Sequence, residues 1–191
     1  MTKISYNIED KGWKKHFPHF KKYIGQAVNE TLKQMDIKID EDIVVSIFLT
    51  SNNEIKKLNN QYRNKNKPTN VLSFPMQSTS DGIHLLGDIV LSNQFLLEES
   101  IEQKVKKYDH LCKMTIHGML HLLGYDHNTE KQFKRMNKFE NIIFDNITGD
   151  PWSFSVTREA AVSSQLDSIP RIKGFLPVSY THLRAHETPE H

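Results

Sequence analysis

The sequence predicts an α+β fold: a single domain in which a small mixed sheet of about four strands packs against helices, with a candidate metal site at the C-terminal end of a long helix. Three observations carry the prediction. Short runs rich in β-branched residues alternate along the chain with longer segments whose apolar residues recur every three to four positions. The 191 residues suffice for one domain with a sizeable core, and 37% hydrophobic with 25% charged residues is ordinary globular composition. No internal repeat divides the chain, so its elements build one layered arrangement.

In order, Ile4, Tyr6 and Ile8 alternate with polar residues as in a half-buried strand. Residues 13–35 place Phe17, Phe20, Ile24, Val28 and Leu32 at helical spacing, which predicts one amphipathic helix. Residues 43–49 read as a buried strand, and Ser51 with Glu54 three residues on forms a capping box that starts a short helix. Residues 71–74 and 87–91 are two more strand candidates, separated by a polar loop at 77–81. Ser92 is placed to cap the helix after it. Residues 104–123 and 129–147 are long helical stretches, the second with Phe133, Met136, Phe139 or Glu140, Ile143 and Ile147 on one stripe.

The domain is expected to span residues 1–147. Residues 148–191 are an unassigned tail whose apolar residues follow neither period well. Within it, residues 177–191 read as a non-native translation, since PVSYTHLRAHET resembles an in-frame sequencing-library adaptor. Histidines 182, 186 and 191 are set aside on that ground, and residues 148–176 stay open between native extension and chimera.

Composition narrows the function classes. No run of about 18 apolar residues and no signal-like N-terminus is present, so membrane insertion is not expected and a cytoplasmic location is. The single cysteine, Cys112, cannot form an internal disulfide and reads as a small buried apolar residue. A net charge of +2 does not by itself mark a nucleic-acid binder, so any basic site must be a local cluster.

The stretch HGMLHLLGYDH, residues 117–127, carries the strongest chemical signal. Four apart on a helix, His117 and His121 share one face and can reach one metal. Gly124 permits the left-handed turn that ends a helix, and His127 then returns as a third ligand. Three imidazoles with an open fourth position describe a catalytic zinc site, one ion per chain. The spacing is that of the zinc-protease motif H-E-x-x-H-x-x-G-x-x-H, but Gly118 stands where the protease has its glutamate base. Zinc alone can make a bound water acidic near pH 7, so hydrolysis remains feasible. Peptide cleavage also needs a proton delivered to a poor leaving group, which glycine cannot do. A phosphodiester instead asks for cations near its oxygens. The segment from Tyr62 through Arg63, Asn64, Lys65 and Asn66 to Lys67 offers them, and Arg63 is the preferred candidate because its planar fork pairs with two phosphate oxygens. A solvated connecting loop is the competing reading of that stretch.

Together with YRNKNKPTNVLSFP (residues 62–75) and LGDIVLS (residues 86–92), the histidine motif closely resembles the YbeY family of bacterial endoribonucleases, the rRNA maturation factors, over essentially residues 1–147. The resemblance implies a metal-dependent, single-strand-specific RNA hydrolase that acts in small-subunit rRNA maturation and ribosome quality control. Its partners would be single-stranded RNA or rRNA and the small ribosomal subunit, with the oligomeric state undefined. It assigns His117, His121 and His127 as zinc ligands and Arg63 as the critical cation, with His117 and His121 also counted in the catalytic apparatus. Asn70 departs from the aspartate common in the family.

Weaker candidates surround the site. His110, two turns before His117, is either a hydrogen-bonding neighbour of the ligands or a satisfied core histidine. Asp126 orients an imidazole or caps the turn after Gly124. Asp88 points into the cleft or is a lone strand carboxylate, and Ser73 lines the groove or bonds to backbone. Two other functions stay open: a zinc peptidase-like hydrolase, which Gly118 opposes, and a non-catalytic RNA-binding factor of ribosome assembly with a structural metal.

Overall fold

In the computed structural model, which describes residues 1–37, 42–80 and 83–149, the chain opens with strand β1 (Thr2–Ile8) and helices α1 (Gly12–His16) and α2 (Phe20–Gln34). The single helix expected over residues 13–35 is therefore two. Pro18 lacks the N–H that a continuous helix needs and disfavours helical backbone at Phe17, which adopts φ −130° and ψ 62°. Both pieces bury the predicted stripe, since Trp13, Phe17, Phe20, Ile24 and Val28 belong to one core cluster.

Strand β2 (Asp42–Thr50) buries Ile43, Val45, Ile47 and Leu49 in strict alternation. Ser51 Oγ then accepts from the Glu54 N–H at 3.4 Å and starts helix α3 (Asn52–Arg63), which ends at left-handed Asn64. Strands β3 (Val71–Ser80) and β4 (Ile83–Ser92) form an antiparallel hairpin longer than the sequence suggested. Most of the expected polar loop at 77–81 is ladder, because backbone pairing continues where side-chain apolarity does not.

The hairpin register shifts between Pro75, which has no N–H to donate, and Ser78. Opposite Pro75 lies Gly87 at φ 133°, where a Cβ would come within 2.2 Å of the Phe74 carbonyl oxygen. Only glycine fits there.

The sheet order is β1-β2-β4-β3, with β1, β2 and β4 parallel and β3 antiparallel on the edge, a mixed four-stranded sheet among the described residues. Helix α4 (Asn93–Glu102) follows β4. Ser92 occupies its N-cap position without capping it, since its hydroxyl donates to Asn52 Oδ1 at 2.7 Å. The long helix α5 spans Lys107–Leu122 rather than starting at 104, because Lys104 at φ 56° closes the preceding turn. The chain ends its described part with helix α6 (Glu130–Thr148), opened by a full capping box between Thr129 and Gln132 and closed by left-handed Gly149.

One face of the sheet packs on α2 and α5 through Ile47, Ile89, Leu91, Leu111, Met119 and neighbours. The other is covered by α3, whose Ile55 meets Leu72, Phe74 and Val90. A third cluster of Cys112, Ile116, Leu120, Met136, Ile143 and Phe144 joins α5 to α6. Helix α5 is thus enclosed by the sheet and by two helices. Cys112 is buried, as expected, and burial pushes its thiol up to about 12. Among the described residues no helix is long and apolar enough to cross a membrane. The readings for residues 150–191, the adaptor-like segment included, lie outside the described residues.

Candidate metal centre

His117 and His121 stand one turn apart near the end of α5 and are almost wholly buried, at 4% and 6% exposed. The helix stops at Leu122 in a turn that the sequence foretold. Gly124, at φ 85°, donates to the His121 carbonyl at 3.0 Å, and Tyr125 N–H donates to the Leu120 carbonyl at 2.9 Å. This is the pairing of a Schellman turn. It sends the chain back so that His127 faces the other two. Ligand atoms of the three histidines lie within 4.8 Å of one another, a group able to hold a metal ion.

Each α5 imidazole is held by its Nδ1. His117 Nδ1 contacts Glu140 Oε1 on α6 at 2.6 Å, and His121 Nδ1 contacts the Tyr125 carbonyl oxygen at 3.0 Å. A carboxylate and a carbonyl only accept, so both Nδ1 atoms carry the hydrogen. Both Nε2 atoms are then bare acceptors, and they face each other at 3.0 Å. Two lone pairs at that separation repel unless a cation lies between them. The distance is close to the ~3.3 Å edge that follows for ligands 2.0–2.1 Å from a tetrahedral zinc. Burial, with the neighbouring histidines adding to it, pushes His121 down to about 2, and burial also lowers His127. Both shifts favour the neutral imidazole at His121 and His127, the form that binds metal.

Arg63 is the last residue of α3, the helix that covers the other face of the sheet. It lies near enough that its charge contributes to lowering His121, while its own guanidinium is partly desolvated. Tyr62 packs edge-on against Phe74 at 5.1 Å and anchors that end of α3 to β3. The structure thus brings His117, His121, His127 and Arg63 into one neighbourhood.

The weaker candidates separate cleanly. His110 is a core histidine: its Nε2 contacts Glu99 at 2.7 Å, and Asn70 Nδ2 donates to the same carboxylate at 3.0 Å. Asn70 also accepts from the Val71 N–H through Oδ1, so its amide ties β3 to α4. Asp126 caps the turn, accepting from the His127 backbone N–H at 2.8 Å and from Asn128. Asp88 lies by strand alternation on the α3 face and bonds to Ser46, away from α5, with burial raising its pKa. Ser73 is buried and, among the described residues, does not bond to backbone. Its buried hydroxyl has no hydrogen-bond partner among the described residues and sits 3.0 Å from where a Gly118 Cβ would be.

That contact explains Gly118. An added Cβ would also meet two Ile89 carbons at 3.2 Å, so position 118 is pressed onto the sheet and points away from the imidazoles. A side chain there would have to displace Ser73 and Ile89 first. The sequence reading missed Glu140, although a signal existed: Met136, Glu140, Ile143 and Ile147 share one stripe, and an acid on a buried stripe needs a partner.

The family model of endoribonuclease YbeY matches residues 7–148. An endoribonuclease YbeY of Dichelobacter nodosus is 48% identical over 108 residues, covering 56% of this chain and 70% of that protein. One from Ehrlichia ruminantium is 36% identical over 144 residues, 75% of this chain and 90% of that protein. A solution structure from Thermotoga maritima, 27% identical, covers 90% of this chain and 100% of its own with a TM-score of 0.51. A family match running from β1 to the end of α6, over all three histidines and Arg63, means that this chain belongs to the endoribonuclease YbeY family.

Proposed function

We propose that the chain is a zinc-dependent endoribonuclease that cleaves single-stranded RNA in small-subunit rRNA maturation and ribosome quality control, in the cytoplasm. His117, His121 and His127 hold one zinc ion per chain, and Arg63 contacts the scissile phosphate. Family membership makes the chain an RNA-cleaving hydrolase, and the three clustered histidines support a metal-dependent mode of action. The observation that carries the metal assignment is the pair of bare Nε2 atoms at 3.0 Å, each fixed by an acceptor behind it. Three nitrogen donors suit zinc, though imidazole also accepts other first-row metals.

When bound, the ion would polarise a phosphoryl oxygen and make a coordinated water acidic near neutral pH. The remaining work falls to the chain. Arg63 stays protonated despite its partial burial, because guanidinium does not lose its proton in proteins. Its two-pronged donor geometry matches the non-bridging oxygens, and the charge that builds on them is stabilised more strongly where water is partly excluded. The buried walls around His117 and His121 supply that exclusion.

The peptidase alternative gains nothing from the geometry, since the position of the protease base is filled by the sheet. The test uses zinc-loaded protein, an unstructured RNA and casein. RNA should be cut and casein left intact, and His121→Ala should lose most of the zinc and the activity together. Wild-type zinc content in His121→Ala defeats the ligand assignment, and cleavage of casein alone defeats the RNA reading.

A further inference from the structure

We propose that Glu140 is a positioning residue of the metal centre, acting through His117 and lying outside the histidine motif. The inference deepens the zinc reading above and rests on it. Glu140 is 23 residues from His117 in sequence, on α6, yet its Oε1 lies 2.6 Å from His117 Nδ1. The pair is sheltered, with side-chain exposures of 5% for His117 and 26% for Glu140.

The carboxylate has three effects on His117. It accepts the Nδ1 hydrogen and so fixes the tautomer that leaves Nε2 bare. It sets the ring plane, because the imidazole cannot rotate without breaking a short charge-assisted bond. It also makes the imidazole a better electron donor and places negative charge behind a ligand of a dication. His121 receives the first two effects from a neutral group, the Tyr125 carbonyl. The two α5 ligands are therefore unequal, and His117 is the one whose donor strength depends on another element. Lys113, one turn before His117 and partly buried over the Phe144 ring at 4.9 Å, lies within the field of Glu140.

A consequence follows for assembly. Glu140 belongs to the helix that docks on α5 through Met136, Ile143 and Phe144. Seating α6 thus completes the metal site, and loading the metal favours a seated α6.

The experiment measures zinc affinity by competition with a chromophoric chelator for the full chain and for Glu140→Gln, Glu140→Ala and His121→Ala. Cobalt(II) absorption spectra report ligand geometry, and far-UV melting of the metal-free proteins reports the fold. Glu140→Ala should bind zinc ~10–100-fold more weakly than wild type. Glu140→Gln should recover part of that loss, since its amide oxygen still accepts from Nδ1 but carries no charge. The cobalt bands should shift in Glu140→Ala, and metal-free melting of Glu140→Gln should match wild type. Wild-type zinc affinity in Glu140→Ala overturns the proposal while leaving the three-histidine site standing. A wild-type chain that binds no zinc, or a His121→Ala that binds it fully, sinks the zinc reading and this inference with it. If Glu140→Gln binds no better than Glu140→Ala, tautomer control is refuted.

Discussion

Arg63 earns its position from local geometry that the sequence only half revealed. Asn64 at φ 54° ends α3 abruptly, and Tyr62 pins the helix end on Phe74, so Arg63 is held where its charge is felt at His121. Composition alone favoured a solvated loop for residues 62–67, yet Tyr62 and Arg63 form the end of α3. If Arg63 stabilises charge that develops in the transition state, Arg63→Glu should retain zinc and fold while lowering the rate of RNA cleavage far more than it weakens binding. Arg63→Lys should rescue only in part, because a point charge lacks the fork. A residue that merely steers RNA would be rescued fully by lysine, and raised salt would erase the difference between variants. Single-turnover cleavage at two salt concentrations, with zinc measured for each variant, checks this. Wild-type cleavage by Arg63→Glu at saturating RNA would remove Arg63 from the catalytic apparatus. Gly118 teaches the complementary point. Its departure from the protease motif was legible, but its cause, the approach of Ser73 and Ile89, is a tertiary contact that no local pattern encodes.

Among the elements, the end of α5 was the most legible, because a glycine after a helical stripe has a specific backbone meaning. The Gly124 turn orders three things at once: it ends the helix, returns His127, and places the Tyr125 carbonyl on His121 Nδ1. Gly124→Ala must put a Cβ at φ 85°, a conformation costing roughly 1–2 kcal/mol for an L-residue. The expected result is a comparable loss of stability in urea titrations, accompanied by weaker zinc binding as the carbonyl shifts. A variant as stable as wild type would mean that the turn relaxes without strain. Other elements were read less well for identifiable reasons. The first helix was drawn through Pro18 because apolar spacing runs unbroken across it. The hairpin was drawn short because ladder pairing, which depends on a partner strand, extends beyond the apolar residues.

At the scale of the whole molecule, the fold class was legible because the alternation of strand and helix periods survives every local error. The partnership of α6 with α5 was not, since Glu140 and His117 are joined only when the third apolar cluster forms. This bears on where the domain ends. Every described member of the three core clusters, all three histidines, Arg63 and Glu140 precede Gly149, which closes α6 in a left-handed cap with its N–H donated to the Asp145 carbonyl at 2.8 Å. Helix α6 itself runs past the boundary expected at 147, through Thr148 to its cap at Gly149. A chain ending at Gly149 should melt within a few degrees of the full chain, bind one zinc and cleave RNA at the same rate. A chain ending before Glu140 should lose Ile143 and Phe144 from the core along with the carboxylate. Each large buried side chain contributes about 2–5 kcal/mol on the scale of core truncations, which rivals the ~5–15 kcal/mol total stability of a domain. That shorter chain should fail to fold. Thermal melting and zinc content of the two truncations decide the matter: an insoluble or zinc-free chain ending at Gly149 would show that residues 150–191 belong to the functional domain.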